Sequence, residues 1–375
     1  MKIRDIRTHI LKANLSRPFA FSQWWYNTRM AFLVEIETDE GIIGWGECYG
    51  PPWVLQAVVN EYRPFLIDRN PLDRDVLWNW LYNRFRDCGQ KGVIVGGLSG
   101  IDIALWDIAG KYFGVPVYQL MGGAVRTKIS AYATGIYRIQ DEHELELLQA
   151  EAASYVKMGF RAVKIKVGFG LGYDIVLVRA IREAIGPNID LMIDANHAYD
   201  SVHALRLARE VEECNIEWFE EPVPPEDRAG YRYVRLNSSI PIAGGECEFT
   251  RYGFRDLILS ESVDIIQPDT CSAGGLSECI KIATMASTFG VRCIPHIWGT
   301  SIALAANLHL LAWLPDNPIS MNPIPPMLEF DCTEHPFRFE IVEEPPKLEK
   351  GMVIVPNKPG LGIEVNRKHL DKFKV

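Results

Sequence analysis

The stretch AVKIKVGFGLGYDIVLVRAIREAIGPNIDLMIDANHAY, residues 162–199, decides the fold. It opens on an apolar run, AVKIKV (162–167), and reaches another, DLMIDA (190–195). Between them, YDIVLVRAIREAIG (173–186) has apolar residues at helical spacing and stops at Gly186, just before Pro187. Strand, helix and strand in immediate succession make a βαβ unit, whose two strands lie parallel. Working outward, the pattern repeats. ISAYAT (129–134), IEWFEE (216–221), IPIAGGE (240–246), VDIIQPD (263–269) and VRCIPH (291–296) alternate with helical stretches such as LSECIKIATMASTFG (276–290). A less regular run near ISMNP (319–323) is followed by MLEF (327–330). Eight strand candidates over about 200 residues predict a (β/α)8-type barrel. An open doubly wound sheet is the alternative.

The flanks read differently. Residues 29–48 alternate apolar and polar positions around Asp39-Glu40-Gly41, a β-hairpin pattern. Residues 53–86 have helical periodicity. Ser99-x-x-Asp102 precedes Ile101, Ala104, Leu105 and Ile108, so Ser99 is a candidate helix cap, and Gly114-Val115-Pro116 is a stop. Residues 1–125 are therefore expected to form an α+β capping domain, to which 340–375 returns. Residues 126–339 are expected to form the barrel.

The chain has 375 residues, with 39 Lys plus Arg against 48 Asp plus Glu, a net charge of −9. That balance, without a basic run, excludes a general nucleic-acid binder. A composition with 10 Trp, 14 Tyr and 16 Phe excludes intrinsic disorder. None of the eight cysteines stands in C-x-x-C spacing, which argues against a structural zinc site and for reduced thiols. The charged start MKIRDIRTHILK lacks an apolar leader, and the apolar stretch Ser301–Leu314 is interrupted by Asn307 and His309. A cytoplasmic protein with no membrane partner is the expectation.

The chemistry lies where polar residues interrupt the strands. A buried parallel strand is nearly all apolar, yet Lys164 and Lys166 share one face of AVKIKV. Asp194, Glu220 and Glu246 end three successive strands at intervals of 26 residues. At the C-terminal mouth of a barrel such acids meet, and three adjacent carboxylates need a cation; oxygen-only donors favour Mg2+. Glu221 competes with Glu220 for the inward position, and the spacing favours Glu220. Asp269 and His296 end the next two strands; a carboxylate beside an imidazole makes His296 a candidate base. Asn196 shares a face with Asp194 and is a candidate substrate ligand. His197 is either an extra acid at the rim or a loop residue, and Cys247 reads as a small pocket residue. Gly168, Gly170 and Gly172 imitate a dinucleotide loop, but Tyr173 stands where the third glycine belongs.

Taken together, KIK (164–166), IDAN (193–196), WFEEP (218–222), GGE (244–246), QPD (267–269), PH (295–296) and LEF (328–330) resemble the enolase superfamily. The Lys-x-Lys strand with an Asp–His dyad is similar to its mandelate racemase subgroup. The resemblance implies a modified (β/α)7β barrel under an α+β cap, and a homo-oligomer. It implies one Mg2+ per subunit on Asp194, Glu220 and Glu246, with Lys166 and His296 as bases on opposite faces of a small-molecule carboxylate. Lys164 would bind that carboxylate, Asp269 would support His296, and Glu329 would hydrogen-bond the enediolate oxygen. GWGECYGPP (44–52), YATG (132–135) and PHIWGT (295–300) look most like the acid-sugar dehydratases and lactone cycloisomerases of the subgroup. GGECEF (244–249) and FAFSQWWYNT (19–28) depart from them. Such members remove the α-proton and lose a β oxygen, as water or as the ring ester oxygen, to give a 2-keto-3-deoxy acid. Racemisation or epimerisation by the same bases is the alternative. By the same analogy residues 19–28 and roughly 49–54 face the mouth, with Trp24, Trp25 and Tyr26 as a stacking surface for a sugar, or else packed under the cap. Arg29 is a candidate partner for a distal carboxylate.

Overall fold

The computed structural model describes residues 1–316 and 321–375, so the first part of the ISMNP run lies outside the described residues. Strands β1 (Ile3–Ala20), β2 (Trp25–Thr38) and β3 (Ile43–Cys48) form an antiparallel sheet in that order. The expected hairpin joins β2 to β3, with Gly41 at φ 80° in its turn. Helices α1 (Pro52–Leu66), α2 (Arg74–Phe85) and α3 (Val93–Phe113) cover the sheet, and a short α4 (Val117–Leu120) follows. Helix α3 lies on β3 backbone to backbone. A Cβ at Gly46 would fall 1.9 Å from the Gly100 carbonyl oxygen, and one at Gly44 would fall 2.2 Å from that of Ala104. Helix α3 ends as expected at Gly114, in the left-handed conformation.

Ser99 is not a cap. Helix α3 begins six residues earlier, after Gly92, and Ser99 lies inside it. Its hydroxyl donates to the Val95 carbonyl and accepts the Gly274 amide at 2.9 Å. The Ser-x-x-Asp pattern instead reaches across to a helix of the barrel. Helix α3 is also the helix among the described residues that is long and apolar enough to cross a membrane. It is 89% buried within the protein over that window, packed against β3, and the apolar helix at Ser301–Trp313 is shorter.

The barrel runs β4 (Lys128–Thr134), α5 (Glu144–Lys157), β5 (Ala162–Lys166), α6 (Leu171–Ile185), β6 (Asp190–Asp194), α7 (Ser201–Glu210), β7 (Ile216–Glu220) and α8 (Arg228–Asn237). It continues with β8 (Ile242–Gly244), α9 (Thr250–Leu259), β9 (Ile265–Ile266), α10 (Gly275–Thr288), β10 (Arg292–Cys293), α11 (Ser301–Trp313) and β11 (Leu328–Asp331). Seven βα units and a final strand make a (β/α)7β barrel. Strands β4 to β10 pair in parallel in chain order, and β11 pairs with β4. Tyr132, Ala162, Met192, Trp218, Ala243, Ile265 and Ile294 meet in one buried cluster with Met327. Side chains from all around the ring fill one interior, which an open doubly wound sheet does not allow. MLEF supplies the last strand, β11.

In the tail, β12 (Leu348–Glu349) and β13 (Met352–Ile354) form a ribbon that pairs antiparallel with β4. Helix α12 (Arg367–Phe373) leads to Val375, whose amide reaches Ile10 of β1. The sheet-and-helix unit grips the barrel through buried acids at helix N-termini. Asp102 accepts the Ser277 amide at 2.9 Å and its hydroxyl at 2.6 Å, at the start of α10. Glu47 accepts the Thr300 and Ala303 amides and the Thr300 hydroxyl, at the start of α11. Each carboxylate satisfies helix-end donors and meets the positive end of the helix dipole.

Candidate active site

Strand register builds the site. Period two turns both Lys164 and Lys166 inward, where they are buried. The ladders place Lys166 beside Asp194, and Asp194 beside Glu220. Lys166 donates to Asp194; Lys164 donates to Glu220 and lies 2.7 Å from Oε1 of Glu329. Glu220 also accepts from Trp218 at 3.1 Å and from Gln267 at 2.6 Å. Glu246, in the loop after β8, completes the group: oxygens of Asp194, Glu220 and Glu246 lie within 4.8 Å of one another.

On the other flank, Nδ1 of His296 is 2.7 Å from Asp269, and its Nε2 is 3.5 Å from Glu246. Asp269 accepts the Cys271 amide, and Glu329 accepts the Thr134 hydroxyl and the Ile297 amide. Glu329 stands on β11 itself.

The electrostatics are those of crowded acids. Burial pushes Glu220 up to about 7, with Asp194 and Glu329 adding to it against Lys164. Burial and Glu221 push Glu246 up to about 8. Burial alone would lower His296, but Glu246, Asp269 and Glu329 raise it to about 10. Burial also raises Glu329, yet Lys164 and His296 hold it at about 2. Burial and Lys164 lower Lys166, but Asp194 outweighs them and raises it. Acids lifted this far toward protonation call for a further cation. Two buried carboxylates and a third, half-buried one, with no sulfur or nitrogen donor among them, fit Mg2+ by size and hardness.

The remaining sequence candidates fall in three places. Asn196, at φ 43°, gives its amide to Asp194 and keeps a buried, unpartnered Oδ1. His197 lies against Glu221, which is turned away from Glu220's partners. Tyr26 stands against Trp298, two residues past His296, and against Phe21. Trp24 and Trp25 line a groove whose other walls include Arg138, Gln140 and Asp141 of the loop after β4 and Phe169 of the loop after β5. Arg29 is not available to a distal carboxylate: it is buried, paired with Asp331 and Thr333, and stacked 4.0 Å from the Trp298 ring. The glycine-rich loop binds its own helix, since the Gly168 and Phe169 amides donate to Asp174.

Gln267 was given no role in the sequence analysis, and the particular contacts of Tyr49, Ser22 and Gln23, which lie in the two segments expected at the mouth, were not read there. Gln267 shares the inward face of its strand with Asp269, two positions on, and that spacing was the available signal. Tyr49 puts its ring 5.6 Å from that of His296. Ser22 and Gln23 latch the first loop to the carbonyls of Ala195 and Asn196. No local pattern announces these two contacts, because they cross from the cap to the barrel.

Comparison with known proteins agrees with this arrangement. A family model described as enolase C-terminal domain-like matches residues 147–369, and one for the mandelate racemase / muconate lactonizing enzyme N-terminal domain matches 5–122. The chain is 45% identical to a D-galactarolactone cycloisomerase of Agrobacterium fabrum, over 100% of this chain and 99% of that one. It is 35% identical to an arabinonate dehydratase of Saccharolobus solfataricus, over 91% and 89% of the two chains. The crystal structure of a 3,6-anhydro-D-galactonate cycloisomerase from Zobellia galactanivorans superposes with a TM-score of 0.92 at 43% identity, covering 100% of both chains.

Proposed function

The chain belongs to the mandelate racemase / muconate lactonizing enzyme family of the enolase superfamily, and on that premise we propose that it opens the ring of an acid-sugar lactone by a Mg2+-dependent cycloisomerisation. It removes the proton α to the carboxylate and expels the ring oxygen from the β carbon. The resulting enol ketonises to a 2-keto-3-deoxy acid, so substrate and product are isomers. The reading rests on one observation above all: Lys166 and His296 flank three carboxylates at one barrel mouth. Full-length likeness to two cycloisomerases favours ring opening over loss of water.

Asp194, Glu220 and Glu246 would hold Mg2+, which when bound supplies positive charge opposite the carboxylate that gains charge as the α-proton leaves. Lys164, held between Glu220 and Glu329, binds the same carboxylate. Glu329 hydrogen-bonds the developing enediolate once it has taken a proton, since Lys164 and His296 hold it ionised in the free site. Asp269 orients His296 through Nδ1 and leaves Nε2 to the mouth; Glu246 holds the ring protonated, and His296 becomes a base when that charge is engaged elsewhere. Lys166 is held protonated by Asp194; it becomes a base when Asp194's charge is engaged elsewhere. Asn196, with its free Oδ1, and His197 and Tyr26 are proposed as substrate contacts; Trp24 and Trp25 are proposed as contacts at the entrance. We also propose residues 126–339 as the catalytic unit and 1–125 with 340–375 as the unit that closes it.

The test is a screen of acid-sugar lactones and the corresponding free acids with Mg2+. A lactone that disappears as a 2-keto-3-deoxy acid forms, with free acids inert, supports the reading. Metal binding without any keto acid from either class overturns it.

A further inference from the structure

The strand ends that carry the three carboxylates gather a second set of donors. His197 lies three residues past Asp194, and Glu221 and Cys247 each lie one past Glu220 and Glu246. Their ligand atoms are also within 4.8 Å of one another. Nδ1 of His197 is 2.9 Å from Oε2 of Glu221, and the His197 amide donates to the Glu221 carbonyl at 2.8 Å.

Glu221 is only 1% exposed, and neither of its carboxylate oxygens has a hydrogen-bond partner. The facing Nδ1 of His197 makes no directed hydrogen bond either, and pairs with Glu221 only as an ion pair when the ring is protonated. A buried carboxylate with two orphaned oxygens is costly unless a cation sits where the donors converge.

We propose that His197, Glu221 and Cys247 form a second metal site, one that takes Zn2+ in preference to Mg2+. The donors are one nitrogen, one oxygen and one sulfur, the mixture that suits a borderline-soft ion and that Mg2+ binds poorly. Zinc bonds of about 2.0–2.3 Å bring tetrahedral donors to about 3.5 Å apart, a small closure from the present spacing. Cys247 is exposed, so the fourth position opens to water. The thiol coordinates as thiolate and gives its proton to solvent. Spacing rules for zinc look for ligand pairs within one loop; here three loops supply one ligand each.

The test uses Co2+ as a spectroscopic stand-in for Zn2+, added to protein already saturated with Mg2+. One Co2+ per chain is expected, with a near-ultraviolet thiolate-to-cobalt charge-transfer band that Zn2+ abolishes on displacing it. The Cys247→Ser protein loses the band, whereas Cys88→Ser, at an exposed cysteine elsewhere, keeps it. Glu221→Gln retains the sulfur ligand and weakens Co2+ binding at least tenfold. Co2+ entering the oxygen-only site gives no such band, so the outcome is independent of the proposed activity. Absence of the band in the natural protein, its survival in Cys247→Ser, or unchanged Co2+ affinity in Glu221→Gln overturns the proposal.

Discussion

Two groups of acids sit at depth in this molecule. Asp194, Glu220 and Glu246 meet at the barrel mouth, and Glu47 and Asp102 join cap to barrel. Residue types and depth are similar, but the partners differ. The joining acids each stand alone and accept backbone amides and a hydroxyl at a helix start. The mouth acids face one another and two lysines. Burial by itself therefore says little about role. A carboxylate satisfied by helix-end donors holds elements together, whereas carboxylates packed against like charge keep an unspent electrostatic demand that a metal and an anionic substrate can meet.

The largest effects separate the groups most sharply. Lys166→Met and His296→Asn are expected to lower kcat by about 10³-fold or more each, with thermal unfolding within a few degrees of the natural protein. Normal turnover in either variant would break the comparison from the catalytic side. Chelation by EDTA is expected to abolish turnover, and Mg2+ to restore it, with circular dichroism unchanged. Asp102→Ala should do the reverse, leaving two α10 donors unpaired and costing about 2–4 kcal/mol of stability in urea unfolding. Its kcat should stay within a few-fold of normal; a variant as stable as the parent would break the comparison from the structural side.

The smallest effect is one of pH. Burial raises Asp102 to about 7, above its unfolded value of 3.8, despite the Ser277 hydrogen bonds. A raised folded pKa means that the folded state binds the proton more tightly. The stability this brings is complete below about pH 4 and is lost as pH rises through 7. Unfolding measured between pH 4 and 7 should show that decline, and it should be shallower in Asp102→Asn.

The barrel and the row of mouth residues were legible in the sequence because both follow from periodicity. Period two aligned Lys164 with Lys166, and the 26-residue βα repeat brought Asp194, Glu220 and Glu246 together. Contacts between units were not legible. Ser99 and Asp102 look the same in sequence whether they cap their own helix or grip another, and only the packing of α3 on α10 decides. Arg29 reads as a free cation until Asp331 and Thr333 are placed beside it. The final strand was blurred by the proline-rich segment before it, which carries no period. Residues 21–24 turn the chain from β1 into β2, and the aim of Trp24, Trp25 and Tyr26 follows from how that turn packs rather than from a local period.

The central claim is that the crowded acids serve removal of an α-proton coupled to ring opening. Its most direct test is the reaction of D-galactarolactone with the Mg2+-loaded protein in D2O, followed by proton NMR. The account predicts a ring-opened 2-keto acid carrying solvent deuterium on the carbon next to the keto group. Deuterium in recovered lactone without any ring-opened product, or no change in the lactone at all, would contradict it.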